Sequence, residues 1–258
     1  EVDKWAEIVL SSDEPRSRIK ALLHQLYYWA IHNRYEKACQ RLSMSYLSDT
    51  INDLDINTRI LYNRTTTQIG LAAFRTGEYK GALNCLSDLF SRTPRTKELL
   101  AQGIAQHRNT GNDAYSIQAQ QKEDRELQEA RNRIFPYHLH INTDFLDAAH
   151  LISAMLVELP NIAEHSFNTT RRVVSKTFRR QFAQFVESQS SVTTASVDTN
   201  RDYILLAAFH ISRGEWRKAW TSLKEINILW QQEDLSQAFE QRLLPAIKTT
   251  ALKCYLFT

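Results

Sequence analysis

The stretch Leu71–Leu83 reads LAAFRTGEYKGAL, and the stretch Leu205–Trp220 reads LLAAFHISRGEWRKAW. Both contain Ala-Ala-Phe, a short polar step, and then Gly-Glu followed by an aromatic residue, two further residues and Ala. A shorter form of this phrase, NRYEKA, occurs earlier in the chain. The three copies consist of Asn33, Tyr35 and Ala38; Gly77, Tyr79 and Ala82; and Gly214, Trp216 and Ala219.

Each copy follows one apolar helical pattern and begins another, which predicts a corner between two helices. Gly or Asn accepts the left-handed conformation that ends the first helix. The aromatic residue begins the second helix and packs back over the corner, and Ala lets the two helices approach closely. This pattern is typical of tetratricopeptide-like helix pairs. Because the copies are unequally spaced, an irregular all-helical domain with three similar corners is an alternative, and both interpretations are all-α.

The rest of the chain supports long helices. Only 6 Gly and 5 Pro occur in 258 residues, whereas strand-rich folds need frequent turns. Apolar residues recur at three- and four-residue intervals, which predicts roughly a dozen helices and no strand. We expect one helix capped by Asp55 and ended by Gly77, and another that stops at Pro160. The predicted organisation is an N-terminal extension (1–15) and a helical-repeat portion (16–258), with loops near 107–118 and 188–200.

Composition bounds the classes of protein. The net charge of +3 is mild, and the three cysteines contain no CxxC pair, which favours a reducing compartment. No apolar run approaches the length of a membrane span, and the acidic, amphipathic first residues are not a signal peptide. Two Asn-x-Thr matches, at Asn63 and Asn168, are interpreted as chance. The chain lacks an initiating Met and ends on CYLFT, so we expect it to be a piece of a longer protein.

Enzymatic signatures are missing from the sequence. It has no GxGxxG, no phosphate loop, no HExxH and no GxSxG. His138 and His140 form the one metal-like pair, and they are interpreted as structural histidines at a corner rather than zinc ligands. The acidic pairs near KEDRELQE lie in a solvated charged run. The sequence therefore predicts no catalytic, metal or cofactor site.

One basic helix stands out, predicted over Thr170–Glu187. Its cations have no acidic neighbour before Glu187; they are Arg171, Arg172, Lys176, Arg179 and Arg180. An opposite apolar face is predicted from Val174, Phe178, Phe182 and Phe185. Such a cationic face suits a phosphate backbone, with salt-dependent binding. The alternative is an ordinary solvated helix face, and the predicted burial of the Phe side chains argues against base stacking.

Several stretches together resemble the family formed by the c subunit of eukaryotic translation initiation factor 3. They are ILYNRTTTQIGLAAFRTGEYKGAL (60–83), KELLAQG (97–103), PYHLHINTDFLDAAHLISAMLVELP (136–160), RRVVSKTF (171–178) and the closing YLFT. The resemblance implies the helical part of a PCI domain, a right-handed superhelix of helix pairs followed by a winged helix. The chain stops about where that winged helix should begin.

The resemblance also implies a function. It implies a non-enzymatic cytoplasmic scaffold that binds other initiation factor 3 subunits, especially the a subunit, and the proteins and RNA of the small ribosomal subunit. Together with other initiation factors it would assemble the preinitiation complex, and no membrane is expected among its partners. The basic helix is then a candidate ribosome-binding site. The alternatives are a PCI subunit of the proteasome lid or COP9 signalosome, a tetratricopeptide-type peptide adaptor, and an RNA-processing enzyme, for which no carboxylate or metal cluster is found.

Overall fold

A computed structural model describes residues 1–91, 96–103, 128–164, 173–190, 198–230 and 233–257. Every regular element in these ranges is helical, so the predicted all-α class is confirmed. The α-helices are α1 Val2–Leu10, α2 Pro15–Ile31, α3 Tyr35–Met44, α4 Leu47–Thr50, α5 Ile56–Thr76, α6 Tyr79–Ser91, α7 Thr96–Leu99, α8 Thr143–Glu164, α9 Lys176–Ser190, α10 Asn200–Ser212, α11 Trp216–Lys224, α12 Asn227–Trp230 and α13 Glu233–Phe257. Single 3-10 turns lie at Ile51–Asp53 and Tyr137–Leu139.

The chain divides into two compact units. Unit one comprises Glu1–Ile69 and Asp88–Thr143, and unit two comprises Gly70–Ser87 and Asp144–Thr258. Each unit has its own buried apolar core. Unit one buries, among others, Leu23, Leu26, Ala30, Ile69 and Leu100, and unit two buries Phe74, Leu86, Ile152, Met155, Phe178 and Leu243.

The three repeated corners share one backbone geometry. A left-handed residue lies one or two positions after the first helix in each, with φ of 56° at Asn33, 93° at Gly77 and 77° at Gly214. Its N–H donates to the carbonyl three residues back, and the next N–H donates to the carbonyl five residues back, which is the Schellman ending of a helix. The six donor–acceptor pairs are Asn33–Ala30, Arg34–Trp29, Gly77–Phe74, Glu78–Ala73, Gly214–Ile211 and Glu215–His210, at 2.9–3.2 Å.

The second helix of each corner begins at the aromatic residue of the motif, Tyr35, Tyr79 or Trp216. The residue just before it accepts the first helical hydrogen bond of that helix from the Ala of the motif. The distances are 3.1 Å for Ala38 to Arg34, 2.9 Å for Ala82 to Glu78 and 3.2 Å for Ala219 to Glu215. All three Ala side chains are fully buried. One residue therefore closes the first helix through its N–H and opens the second through its carbonyl.

The repeated Ala-Ala-Phe letters are not equivalent in space. Phe74 lies three residues before the left-handed Gly77, whereas Phe209 lies five residues before Gly214. The position three residues before Gly214 is occupied by the fully buried Ile211. Phe74 is fully buried, while Phe209 is half-buried and covered by the Arg213 guanidinium, 4.0 Å from its ring centroid. The structural repeat is therefore the Gly-x-aromatic-x-x-Ala part of the phrase.

Helix α13 contacts both glycine corners of unit two. A Cβ atom on Gly77 would lie 3.7 Å from Cβ of Arg242, and a Cβ on Gly214 would lie 3.3 Å from Cβ of Tyr255. The Arg242 guanidinium also donates to the carbonyl of Arg75 at 2.8 Å. The two corners therefore provide a smooth backbone surface on which α13 packs.

Several local predictions concern where helices begin and end. Asp55 caps α5, because its carboxylate accepts from the Thr58 N–H at 3.3 Å, and this prediction is confirmed. The predicted stop at Pro160 is wrong, since α8 continues to Glu164. Proline removes one hydrogen bond near the end of this helix without ending it. Residues 1–15, expected as an extension, include α1, which packs on α2. The centres of both predicted loops lie outside the described residues.

Candidate functional site

The basic helix of the sequence prediction is α9 in unit two. It begins at Lys176 rather than at Thr170, so the predicted start is wrong. The reason is a cap at Ser175, whose hydroxyl accepts from the Phe178 N–H at 3.3 Å. Arg171 and Arg172 lie outside the described residues. The described basic face of α9 therefore consists of Lys176, Arg179 and Arg180, which share one side of the helix at i, i+3 and i+4.

A buried carboxylate from α8 holds the start of α9. Glu158 is fully buried, and its Oε2 atom accepts from the N–H groups of Val174 at 3.1 Å and Ser175 at 3.4 Å. A negative charge at this position is favourable, because the N-terminal end of a helix carries a partial positive charge. Glu158 thus fixes where α9 begins and how its first turns are presented.

Aromatic side chains anchor α9 on the other side. Phe178 is fully buried and Phe185 nearly so. Phe182 stacks on Phe178, with ring centroids 5.9 Å apart and planes 6° apart. Val174 was predicted to join this apolar face, which is wrong, since it precedes the helix and is 46% exposed. The buried Phe residues make α9 a firm support for its basic face.

The three cations of the basic face are exposed to solvent. Within the described ranges none of them makes an ion pair, and α9 has no acidic residue before Glu187. Cations in the first turns of a helix oppose its dipole, at a cost of about 0.3–1 kcal/mol each. Their placement therefore does not serve helix stability, and it leaves three charges available to an anionic partner.

Further cations, which no sequence pattern indicated, lie on aromatic rings of the α10–α11 corner. The Lys248 ammonium lies 4.6 Å and the Arg217 guanidinium carbon 5.4 Å from the Trp216 ring centroid. Arg213 covers Phe209 in the same way. Each of these cations is exposed but rests on an aromatic ring, so its charge is already partly used within the fold.

A buried arginine in unit one was also missed. Arg64 is 4% exposed, and its guanidinium donates to the carbonyl of Leu100 at 3.2 Å and to the carbonyl of Leu139. Its guanidinium carbon lies 4.4 Å from the Phe135 ring centroid. Neighbouring Asn63 donates its amide to the Leu99 carbonyl at 3.2 Å. The polar NRTTT run inside an otherwise apolar helix was the available signal for this structural cluster.

The histidine pair shows no metal-binding geometry. A ring nitrogen of His140 lies 2.8 Å from the Phe135 carbonyl oxygen, and His138 is exposed on the 3-10 turn. Among the residues that the structure describes, no three His, Cys, Asp or Glu side chains come close enough to hold a metal ion. The three cysteines are free thiols, with Cys254 buried and Cys39 and Cys85 half-buried.

The sequence pattern predicted no run of membrane-spanning length, but one described segment, Tyr137–Glu164, is long and apolar enough by length and hydropathy alone. In the structure, 67% of its most apolar window is buried inside the fold. Its buried residues include Leu146, Ile152 and Met155. This burial is typical of the core helix of a globular unit.

Comparison with known proteins identifies the family. Residues 2–169 match a family model described as the N-terminus of eukaryotic translation initiation factor 3 subunit 8. Two relatives named as the C subunit of eukaryotic translation initiation factor 3, from Aspergillus clavatus and Emericella nidulans, are each 37% identical over 243 residues, covering 93% of this chain and 26% of the relative. The Phaeosphaeria nodorum protein of the same name is 37% identical over 259 residues, covering 100% of this chain and 29% of the relative. The chain thus spans 26–29% of the length of these relatives. It belongs to the family formed by the C subunit of eukaryotic translation initiation factor 3.

Proposed function

We propose that this chain is a non-enzymatic scaffold segment of initiation factor 3 that binds the small ribosomal subunit. The observation that carries the proposal is the basic face of α9, with Lys176, Arg179 and Arg180 exposed and without ion pairs among the described residues. Ribosomal RNA offers a dense array of phosphates, and each contact with a cation releases counterions. Arg171 and Arg172 of the predicted ribosome-binding site lie outside the described residues and stay a prediction from the sequence.

The wider assembly follows from the family. The chain would contribute the helical part of a PCI domain, bind other initiation factor 3 subunits, the a subunit in particular, and act with other initiation factors in the cytoplasm. The family match favours this assembly over the proteasome lid and the COP9 signalosome. Co-purification of the a subunit with the full-length protein from cells tests this part of the proposal, and its loss on deletion of residues 1–258 is the expected result.

Co-sedimentation with purified small ribosomal subunits tests the basic face. The triple variant Lys176→Glu, Arg179→Glu and Arg180→Glu should bind at least about ten-fold more weakly, and its salt dependence should be shallower, since about 0.7–0.9 units of slope are lost per phosphate contact. A matched control reverses three exposed cations elsewhere, Arg16, Lys20 and Lys253, with the same change in net charge. Equal weakening by both variants would indicate a nonspecific charge effect, and unchanged binding of the α9 variant would remove this face from the ribosome contact.

A further inference from the structure

A groove lies along the first three helices of unit one. Two cavities of about 430 and 380 Å³ open there. Leu10, Arg41 and Met44 line both cavities, so the two form one continuous groove between α1 and α3. The groove lies entirely within residues 3–47, and its floor is provided by α2.

Helix α1 forms one wall of this groove with its polar side inward. The Asp3 carboxylate accepts from the Gln25 amide and from the Trp29 indole N–H, both at 2.9 Å. Only Ala6 of this helix is buried, whereas Trp5 is 68% and Ile8 is 61% exposed. A helix seated by its apolar side would fill the space over α2. Because α1 is held by a polar contact instead, the apolar floor between α1 and α3 stays open.

Helix α3 forms the opposite wall. Lys37, Gln40, Arg41 and Met44 recur at i, i+3, i+4 and i+7, and all four side chains are exposed. The Lys37 ammonium lies 3.9 Å from the Trp29 ring centroid, so its charge is partly used. The Arg41 side chain makes no hydrogen bond or ion pair with any described residue, and it lines both cavities.

Charge and shape together select the chemistry of a ligand. Asp3 already accepts two hydrogen bonds, which leaves Glu7 as the free carboxylate against Arg41, Arg18 and Lys37. Apolar side chains lie on both sides of Arg41. Trp29 lies in one cavity, Ile19 and Leu22 lie in the other, and Leu10 and Met44 line both. A guanidinium pairs with a carboxylate through two parallel hydrogen bonds, which fixes the orientation of the bound group.

We propose that the α1–α3 groove binds a short acidic–apolar segment of a partner protein. An Asp or Glu side chain of that segment pairs with Arg41, and a bulky apolar side chain on each side of it enters one of the two cavities. This site lies in unit one and does not depend on the ribosome contact proposed for α9. Apolar anchors in pockets, around an arginine that the bound partner covers, are the usual source of affinity in such an interface.

Selection of random peptides displayed on phage tests the proposal. The 258-residue chain is the target, and each round is depleted on the Arg41→Glu variant. We expect the enriched peptides to contain Asp or Glu with Leu, Phe, Met or Trp on both sides. A fluorescein-labelled enriched peptide should bind Arg41→Glu at least about ten-fold more weakly, the effect of losing a charge-assisted pair. Arg41→Gln should show a smaller loss.

The control is Arg16→Glu, an exposed position on α2 outside the groove with the same change in charge, which should keep the wild-type affinity. Two outcomes would overturn the proposal. One is that no acidic–apolar peptide is enriched or that Arg41→Glu retains its affinity. The other is that labelled oligouridylate, rather than peptide, is the probe whose binding depends on Arg41, which would assign the groove to RNA. Unchanged far-UV circular dichroism verifies the fold of each variant.

Discussion

A Cβ atom on Gly70 would lie 2.7 Å from Cδ2 of Leu86, closer than folded proteins allow. Helices α5 and α6 therefore touch at a point where only a hydrogen fits. Ala normally stabilises a helix by about 1 kcal/mol over Gly. Here we expect the opposite sign: Gly70→Ala should lower the free energy of unfolding by about 1–3 kcal/mol through overpacking. Urea unfolding followed by circular dichroism measures it.

The control for this prediction is Gly103→Ala. Its added Cβ would lie 3.6 Å from Cβ of Lys97, an ordinary contact. We expect a change within about 0.5 kcal/mol, as for surface substitutions in general. A stabilising effect of Gly70→Ala would mean that Leu86 moves aside at little cost, contrary to the packing described here.

At two left-handed positions, we expect exchanges of Gly and Ala to change the free energy of unfolding in opposite directions. Gly214 has φ of 77° and lies against Tyr255, so Gly214→Ala should cost about 1–2 kcal/mol. Ala101 already has a Cβ at φ of 52°, so Ala101→Gly should stabilise by up to about 1 kcal/mol, after the extra freedom of Gly in the unfolded chain is subtracted. Thermal unfolding of both variants checks the pair, and a shift of the same sign in both would contradict it.

Removing the buried guanidinium of Arg64 should loosen the segments that it holds. Arg64→Met leaves the carbonyls of Leu100 and Leu139 without their donor, at a cost of about 1–3 kcal/mol each. Hydrogen exchange should become faster in residues 99–103 and 135–141. Arg59→Met, at a half-buried position on the same helix, is the matched control and should leave these segments protected.

Glu158 should stabilise the fold by holding the start of α9. Glu158→Ala leaves the Val174 and Ser175 N–H groups without their buried acceptor and should cost about 2–4 kcal/mol, whereas Glu158→Gln keeps one acceptor oxygen and should cost less. Hydrogen exchange in the first turn of α9 should rise with Glu158→Ala. The exposed Glu225→Gln is the control, and an equal effect of all three variants would contradict this role.

The burial of His150 should make the free energy of unfolding depend on pH. Desolvation lowers the pKa of His150 to about 4, from 6.5 in an unfolded chain. The unfolded state therefore binds more protons between these values, and the stability due to neutral His150 is lost as the pH falls from about 6.5 towards 4. We expect a loss of up to about 3 kcal/mol over this window. Because carboxylates also titrate there, the measurement is the difference from His150→Gln in urea unfolding at pH 7 and pH 4.5, and parallel pH profiles would contradict it.

The three corners could be predicted from the sequence because each depends only on residues that are close together in the chain. A left-handed residue, an aromatic helix start and a small residue one turn later are all local requirements. The repeated Ala-Ala-Phe sequence suggested that Phe74 and Phe209 are equivalent, but they are not. Ile211 and Ser212 add two residues before the second corner and shift Phe209 away from the position of Phe74. Before that insertion, similar residues in the two copies therefore do not occupy equivalent positions in the structure.

The long-range polar contacts could not be predicted in the same way. Glu158 meets Val174 sixteen residues away, and Arg64 meets Leu139 seventy-five residues away. Neither pairing has a periodic signature, because it depends on tertiary packing rather than on the helix repeat. The cap at Ser175, which sets the true start of the basic helix, is by contrast a local contact, and it was missed because basic residues lie on both sides of it.

In each corner a single residue serves two helices. The N–H of Arg34, Glu78 or Glu215 completes the helix before it, and the carbonyl of the same residue receives the first bond of the helix after it. Loss of that residue's conformation removes bonds from both helices at once. The smallest part of the chain that can open is then a pair of helices rather than one, so fluctuations should propagate along this protein in hairpin-sized steps. A partner that binds either helix of a pair would therefore also stabilise the other helix.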